Sequence, residues 1–224
     1  MTRTRAAMLA AAAFCLLPFL LLGCATAWTD DGIDRMTKAT VMVIPGKDAH
    51  GSGVILLDGR VLTNAHVVAG RKSVMLQLPG GDTYAAAVLW PGDVSRMDVA
   101  ILAPEVPLFG GVPLRCDPPR LGEEVVAVGH PRSARWVVTS GRVASFRRMD
   151  REQDESPYWL ADLAINPGNS GGPVFDLYGR VVGLATAVIG YGNSMFGLSG
   201  VSGLSIITPG AALCEVLAKH GGRA

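Results

Sequence analysis

A chain of 224 residues with a formal net charge of +1 has no surplus of basic residues, so nothing in its balance points to nucleic acid. Apolar residues make up 49% of it, enough to fill the core of a single domain. Its four cysteines and four histidines show no metal-ligand spacing, so no zinc site and no cofactor are expected.

The first element in chain order is not a folded one. Arg3 and Arg5 precede an apolar run over residues 6–22, and Gly23 and Cys24 follow. A short basic region ahead of an apolar core has the form of a secretory signal. Leu21-Leu22-Gly23-Cys24 resembles the bacterial lipobox, which implies that residues 1–23 are removed and Cys24 becomes a lipidated N-terminus. An uncleaved membrane span over residues 6–27 and plain secretion are the other two readings. With an anchor or a span alike, the arginines stay inside and the domain ends up outside. The lipobox resemblance implies a bacterial cell-envelope protein, lipid-anchored and facing the periplasm. Ala25, where an inner-membrane retention signal would have Asp, favours the outer membrane. Residues 24–36 read as a tether, and about 200 residues remain after Cys24 for one all-β domain.

Beyond the tether the sequence reads as short strands joined by tight turns. Residues 54–57 and 60–63 flank Asp58-Gly59, a pair suited to the positive φ of a hairpin turn. Residues 74–78 and 83–89 flank Pro79-Gly80-Gly81-Asp82. A proline-rich stretch over residues 108–119 reads as a crossing between two units. Residues 124–128, then 136–140 and 142–146 meeting at Gly141, predict further strands. Residues 174–175 and 180–189 flank a turn ending at Gly179. Many short strands at this spacing predict an all-β sandwich or barrel. The one helix expected is terminal: Thr208 caps it, Pro209 stands in its first turn, and Leu213, Val216 and Leu217 share a face. Residues 147–157, densely charged, and residues 190–203, rich in Gly and Ser, read as loops without rigidity.

Asn166-Pro167-Gly168-Asn169-Ser170-Gly171-Gly172-Pro173 sets Ser170 in a turn of glycines. A serine hydroxyl is a weak nucleophile by itself and needs a nearby base. Glycines on either side let the backbone bend sharply and aim N–H groups at a developing oxyanion. Upstream, Leu62-Thr63-Asn64-Ala65-His66-Val67-Val68 offers the base, and Asp98-Val99-Ala100-Ile101-Leu102 offers a carboxylate to orient it. The apolar run after Asp98 favours it over Asp93 as the buried acid. Each residue alone has an ordinary reading, and it is their conjunction that points to nucleophilic catalysis. Gly168-Asn169-Ser170-Gly171-Gly172 also fits the Gly-x-Ser-x-Gly elbow of an esterase, which needs a helix after the serine and Asp then His downstream. Here Pro173 follows, and the downstream histidine is His220, near the chain end. His50 and His130 stand beside turns and read as structural.

These three segments resemble the trypsin-like serine peptidases, most closely the bacterial HtrA/Deg branch. Its Thr-Asn-x-His-Val-Val, Asp-Val-Ala and Asn-Pro-Gly-Asn-Ser-Gly-Gly-Pro segments stand here nearly unaltered, and the likeness covers residues 37–219. Unlike in that branch, no PDZ domain is expected after the peptidase domain. The resemblance implies a peptidase domain over residues 37–220, built as a chymotrypsin-like double barrel. Two six-stranded antiparallel β-barrels would cover about residues 37–110 and about 118–208, followed by a C-terminal helix over 209–219.

The same resemblance implies a serine endopeptidase with His66 as base, Asp98 as its orienting carboxylate and Ser170 as nucleophile. The N–H groups of Gly168 and Ser170 would bind the oxyanion, with Asn169 in the turn between them. Ala164, Thr186, Ala187 and Val188, with residues 203–206 opposite, would wall a small apolar pocket favouring Val or Ala over Lys and Arg. Thr186 would support Asp98 through its hydroxyl, and Asp162 would make a structural hydrogen bond. Cys116 and Cys214 have two readings: a bridge from the inter-barrel linker to the C-terminal helix, or two buried thiols. Unfolded or extended extracytoplasmic proteins would be the substrates, in quality control or regulated proteolysis, and a homo-oligomer is left open. Residues 147–157 and 190–203 fall where such enzymes have loops whose order decides whether the oxyanion hole forms. The alternative is a membrane-anchored double barrel that binds partners with a silent site.

Overall fold

The computed structural model describes residues 29–146, 158–191 and 200–220, with the backbone alone at 190–191 and 200–202. The lipobox segment, Cys24 and the charged residues 147–157 lie outside the described residues, as do residues 192–199.

Strands β1 (Thr40–Gly46), β2 (Ala49–Ile55), β3 (Val61–Thr63), β4 (Ser73–Gln77), β5 (Thr83–Trp90) and β6 (Ala100–Pro104) close into a barrel in the order β1-β2-β3-β6-β5-β4. Strands β7 (Glu124–Gly129), β8 (Val137–Ser145), β9 (Trp159–Asp162), β10 (Pro173–Asp176), β11 (Val181–Tyr191) and β12 (Gly200–Pro209) close into a second, in the order β10-β11-β12-β9-β8-β7. Neighbouring strands pair antiparallel, and helix α2 (Gly210–His220) follows the second barrel. The fold class is the expected one: an all-β double barrel with a C-terminal helix. Closure pairs every strand with two neighbours, but β11 runs on past Leu184, the last of its residues paired with β10, with β12 alone beside it.

Side-chain alternation explains why many of these strands read as unbroken apolar runs. Along β7, Val125 and Ala127 fill the second barrel, while Val126 and Val128 pack in the layer between the barrels. Along β6, Ala100 and Leu102 fill the first barrel, and Ile101 joins Val99 in that same layer. Phe175, Leu184, Leu62 and Val54 complete the layer, all wholly buried. Burial of each such Val, Leu or Phe stabilises the fold by roughly 1.5–3 kcal/mol. The barrels therefore share a core of their own, and the seam beside it is fixed.

Several local expectations are corrected. A second helix, α1 (Asp30–Ala39), occupies most of the segment read as a tether. Thr29 caps it, its Oγ1 accepting the Gly32 N–H at 3.0 Å, and Asp30 and Asp31 lie in its first turn. It presents few apolar residues, but Met36 and Ala39 are buried in the inter-barrel layer. The two strands expected on either side of Gly141 are one, β8, because Gly141 stays paired with Val125. Pairing of Gly190 with Val201 and Tyr191 with Gly200 carries β11 and β12 into the ends of the stretch read as a loop. Thr208 does not cap the last helix. It lies in β12 opposite Leu184, its hydroxyl is bonded to that of Thr186 at 2.7 Å, and the helix begins at Gly210. Leu213 and Val216 are buried on the expected face, with Leu217 packed beside them.

The linker between the barrels is strapped to both. The Val112 N–H donates to Ile55 O at 3.1 Å, and the Arg115 N–H donates to Val181 O at 2.8 Å. Cys116 in this linker is bridged to Cys214 in α2, 98 residues on. Closing so long a loop contributes about 4–5 kcal/mol in the chain-entropy model. Among the described residues, no helix is long and apolar enough to cross a membrane.

Candidate active site

His66 follows the end of β3. The chain leaves the strand at Thr63 and winds into a short 3-10 turn at His66–Val68. Val67 and Val68 are driven into the first barrel's core, which leaves His66 facing outward. Asp98, two residues before β6, is buried and takes two bonds from that one residue. Its Oδ2 accepts His66 Nδ1–H at 2.5 Å, and its Oδ1 accepts the His66 backbone N–H at 2.9 Å. The ring is thereby fixed with Nδ1 protonated and Nε2 left to act as a base. Asp93, the rival acid, is exposed and bonded to Ser95, at 2.9 Å to its N–H and 2.6 Å to its hydroxyl.

The serine turn is wedged between the barrels. The Ser170 carbonyl accepts the Ser52 N–H of β2 at 2.8 Å, and the Gly171 N–H donates to Ala185 O of β11 at 2.8 Å. Gly171 has φ +81°, and a Cβ there would lie 2.2 Å from Thr63 Oγ1 and 2.4 Å from Ser52 O. A single point relates the base to the nucleophile: a Cβ on Gly51 would stand 2.7 Å from the Val67 methyls and 3.0 Å from Ser170 O. Asn64, two residues before His66, bonds Thr186 Oγ1, and the Thr186 carbonyl accepts the Ser170 hydroxyl, so the segment carrying His66 lies beside the serine turn. The Ser170 hydroxyl donates to Thr186 O at 3.4 Å, and among the described residues no hydrogen bond joins it to His66.

Ahead of the serine, Gly168 has φ +102°. The Asn169 N–H donates to Asn166 O at 3.0 Å and the Gly172 N–H to Asn169 O at 2.8 Å, which closes the turn. Among the described residues the N–H groups of Gly168 and Ser170 have no partner, so two donors flank the site unspent. Asn169 is buried within the turn.

The segments expected to form the pocket take defined places. Ala164 is exposed between buried Leu163 and Ile165, and Ser205 Oγ donates to Leu163 O at 2.7 Å. Thr186, Ala187 and Val188 lie along β11, with Ala187 exposed and Val188 packed on the second barrel's core. Two expectations fail here. Asp162 is exposed, and among the described residues its carboxylate has no hydrogen-bond partner, because β9 turns it outward. Thr186 does not touch Asp98. Asn64 stands between them, its Nδ2 donating to Asp98 O at 2.5 Å and to Thr186 Oγ1 at 3.3 Å.

Sequence reasoning missed three residues that build this site: Asn64, Ser52 and His130. Asn64 was inside a quoted motif, yet nothing local says that it reaches the second barrel. Ser52 and His130 lie 78 residues apart and meet at 2.9 Å, Oγ to Nδ1. His130 is wholly buried, which holds its imidazole well below the usual histidine range, at about 3, helped by the positive charges of His50 and Arg135. The esterase reading is also corrected. Ser170 leads into strand β10 and not a helix, and the His220 ring stacks on Trp90 at 4.4 Å. Among the described residues no three His, Cys, Asp or Glu side chains converge as metal ligands would.

A histidine held by a buried aspartate, set across the seam of two β-barrels from a serine in a glycine turn, defines the chymotrypsin-like class. The model of the trypsin-like peptidase domain matches residues 51–184, and the chain belongs to that family. Among its relatives, the mitochondrial serine protease HTRA2 of Bos taurus is 38% identical over 175 residues, which is 75% of this chain and 36% of that protein. A probable periplasmic serine endoprotease, DegP-like, of Hahella chejuensis is 36% identical over 151 residues, 66% of this chain and 32% of its own length. The chain thus spans about a third of the curated relatives it matches. Among solved structures, the HtrA-type protease AlgW with tripeptide superposes with a TM-score of 0.70 at 28% identity, covering 84% of this chain and 63% of that one. The inactive form of the Rv3671c protease shares the fold at a TM-score of 0.66 and 23% identity, covering 85% and 92%.

Proposed function

We propose that this chain is a serine endopeptidase of the HtrA type, cleaving peptide bonds through an acyl-enzyme. The observation that carries the reading is the Asp98–His66 pair at the seam, beside a serine turn with two unpaired N–H groups. Rotation about the Ser170 Cα–Cβ bond would redirect its hydroxyl from Thr186 O to His66 Nε2. Ser170 Oγ then attacks the carbonyl carbon while His66 takes its proton, and the imidazolium returns that proton to the leaving amine. Water repeats the sequence on the ester, with His66 again as base. Asp98 stays ionised and stabilises the imidazolium. The N–H groups of Gly168 and Ser170 receive the oxyanion, each donor worth about 10²- to 10³-fold in turnover.

Ala164, Thr186, Ala187 and Val188 carry no charge, which supports a pocket for small apolar side chains. The exposed stretch of β11 gives an extended substrate backbone a strand to pair with. Substrates in this reading are unfolded or extended proteins met outside the cytoplasm, in quality control or regulated proteolysis. Support for the compartment comes from the DegP-like relatives, which are probable periplasmic endoproteases, together with the lipobox-like segment ending at Cys24. We place the protein on the periplasmic face of the envelope, anchored by a lipid on Cys24, at the outer membrane in preference to the inner.

A second reading, a silent double barrel that binds partners, draws on one observation: the Ser170 hydroxyl is bonded to Thr186 O and not to His66. Casein and peptide anilides separate the two. The full chain in detergent should cleave casein and prefer Val or Ala to Lys before the cut by about 10-fold or more, the worth of about 1.4 kcal/mol in pocket contacts. The Ser170→Ala chain should do neither. Intact casein after prolonged incubation with wild type would leave the silent reading standing.

A further inference from the structure

Gly168 is held by a set of groups that none of the expected site residues includes. The Pro167–Gly168 peptide has its carbonyl bonded to the Arg132 N–H at 2.8 Å. In a trans peptide the N–H points opposite to the carbonyl, so this bond turns the Gly168 N–H away from Arg132. Arg132 has φ +53°, a left-handed conformation costly for a residue with a side chain. The next peptide, Gly168–Asn169, is held by its own carbonyl, which accepts the Ser52 hydroxyl at 2.8 Å. Both peptide planes flanking Gly168 are therefore set by bonds from outside the turn.

Ser52 Oγ has one proton and two lone pairs. Its proton goes to Gly168 O, so its lone pairs take the His130 backbone N–H at 3.1 Å and His130 Nδ1–H at 2.9 Å. The hydroxyl is saturated, and the His130 ring is fixed as the neutral Nδ1–H tautomer. Nε2 is left buried without a partner among the described residues. Trp136 packs edge-on against the ring at 4.7 Å. The His130 carbonyl accepts His50 Nε2–H at 2.9 Å. A Cβ on Gly168 would lie 2.2 Å from that carbonyl and 2.8 Å from His50 Nε2. A buried histidine with one orphaned nitrogen is costly, and here it supports the oxyanion turn directly.

We propose that Ser52 and His130 are positioning residues that hold the peptide planes of Gly168 so that its N–H is presented to the oxyanion. The proposal rests on the peptidase reading above and adds to it a support reaching from β2 of the first barrel to the end of β7 in the second. Neither side chain touches substrate, and both act through Gly168.

The test compares wild type, Ser52→Ala, His130→Phe and His130→Asn in the full chain, with kcat and KM measured separately on an apolar peptide anilide. Affinity for a peptide boronic acid, which forms a tetrahedral adduct, is compared with affinity for the matching product peptide. Ser52→Ala and His130→Phe should lower kcat by about 10- to 10²-fold with KM nearly unchanged, within the limit of losing an oxyanion donor outright. Boronic acid affinity should fall in parallel, while product affinity holds. His130→Asn, whose amide nitrogen takes the place of Nδ1, should recover most of what His130→Phe loses. Turnover within about two-fold of wild type in Ser52→Ala and His130→Phe would overturn the proposal, as would an equal loss of product affinity. If His130→Phe does not fold, Ser52→Ala, which deletes a single oxygen, carries the same test. A wild type that cleaves nothing would instead overturn the peptidase reading.

Discussion

The backbone N–H of Ser52 donates to the carbonyl of Ser170 at 2.8 Å, so a strand of the first barrel holds a residue of the second. The two barrels are joined beside the Ser170 turn, and any group forced between them acts on both. Gly171 lies on this seam, with φ +81° and Thr63 Oγ1 2.2 Å from where a Cβ would be. Gly171→Ala should destabilise the fold by roughly 2 kcal/mol or more, from left-handed strain and the displaced Thr63. A lower thermal midpoint with lost casein cleavage is the expected pair of results.

Asn64 Nδ2 donates to the Asp98 backbone carbonyl and to Thr186 Oγ1, and so ties the Asp98 backbone to β11. Asn64→Ala leaves these buried acceptors short of a donor. The cost should be about 1–3 kcal/mol in urea unfolding. Turnover should fall by up to about 10²-fold as Asp98 and its histidine lose their placement.

His130 makes folding sensitive to acid. It is neutral in the fold, with its pKa lowered from the ordinary 6.5 to about 3 by burial and by the charges of His50 and Arg135. Between those values the unfolded chain binds a proton that the folded chain refuses, so stability falls as pH drops from about 6.5 toward 3. At pH 5 the loss relative to pH 7.5 should be roughly 2 kcal/mol from this group. Urea midpoints for wild type and His130→Phe between pH 7.5 and 4 read it: the wild-type curve should be the steeper of the two. Parallel curves would contradict the assignment.

The Cys116–Cys214 bridge joins the linker to α2 across 98 residues. Replacing both with Ser should lower stability by about 4 kcal/mol in the chain-entropy model. Casein cleavage at 25 °C should persist, since neither residue borders the seam. Calorimetry of the double variant beside wild type measures the shift.

The parts of this molecule that could be read from its sequence are those where a local pattern carries the whole signal. The strands around Val125–Val128 and Val99–Leu102 are buried on both faces and so stand out as apolar runs. The serine turn and the segments around His66 and Asp98 are short, and their residue types are dictated by chemistry. Helix α1 was hidden because few of its residues are buried, and β1 because it follows Ala39 with no turn to mark it. The Ser52–His130 contact was invisible for a different reason: two ordinary residues 78 apart become partners only when the barrels close. Thr186 was expected at Asp98, but an asparagine amide is long enough to stand between them.

The central claim is that the imidazole at the seam makes Ser170 Oγ nucleophilic, and a fluorophosphonate reads that directly. Intact-mass analysis of the full chain after treatment should show one adduct, mapped to Ser170. Both Ser170→Ala and His66→Ala should remain unmodified under the same conditions. A wild-type chain that gains no adduct, or gains one that persists in Ser170→Ala, would contradict it.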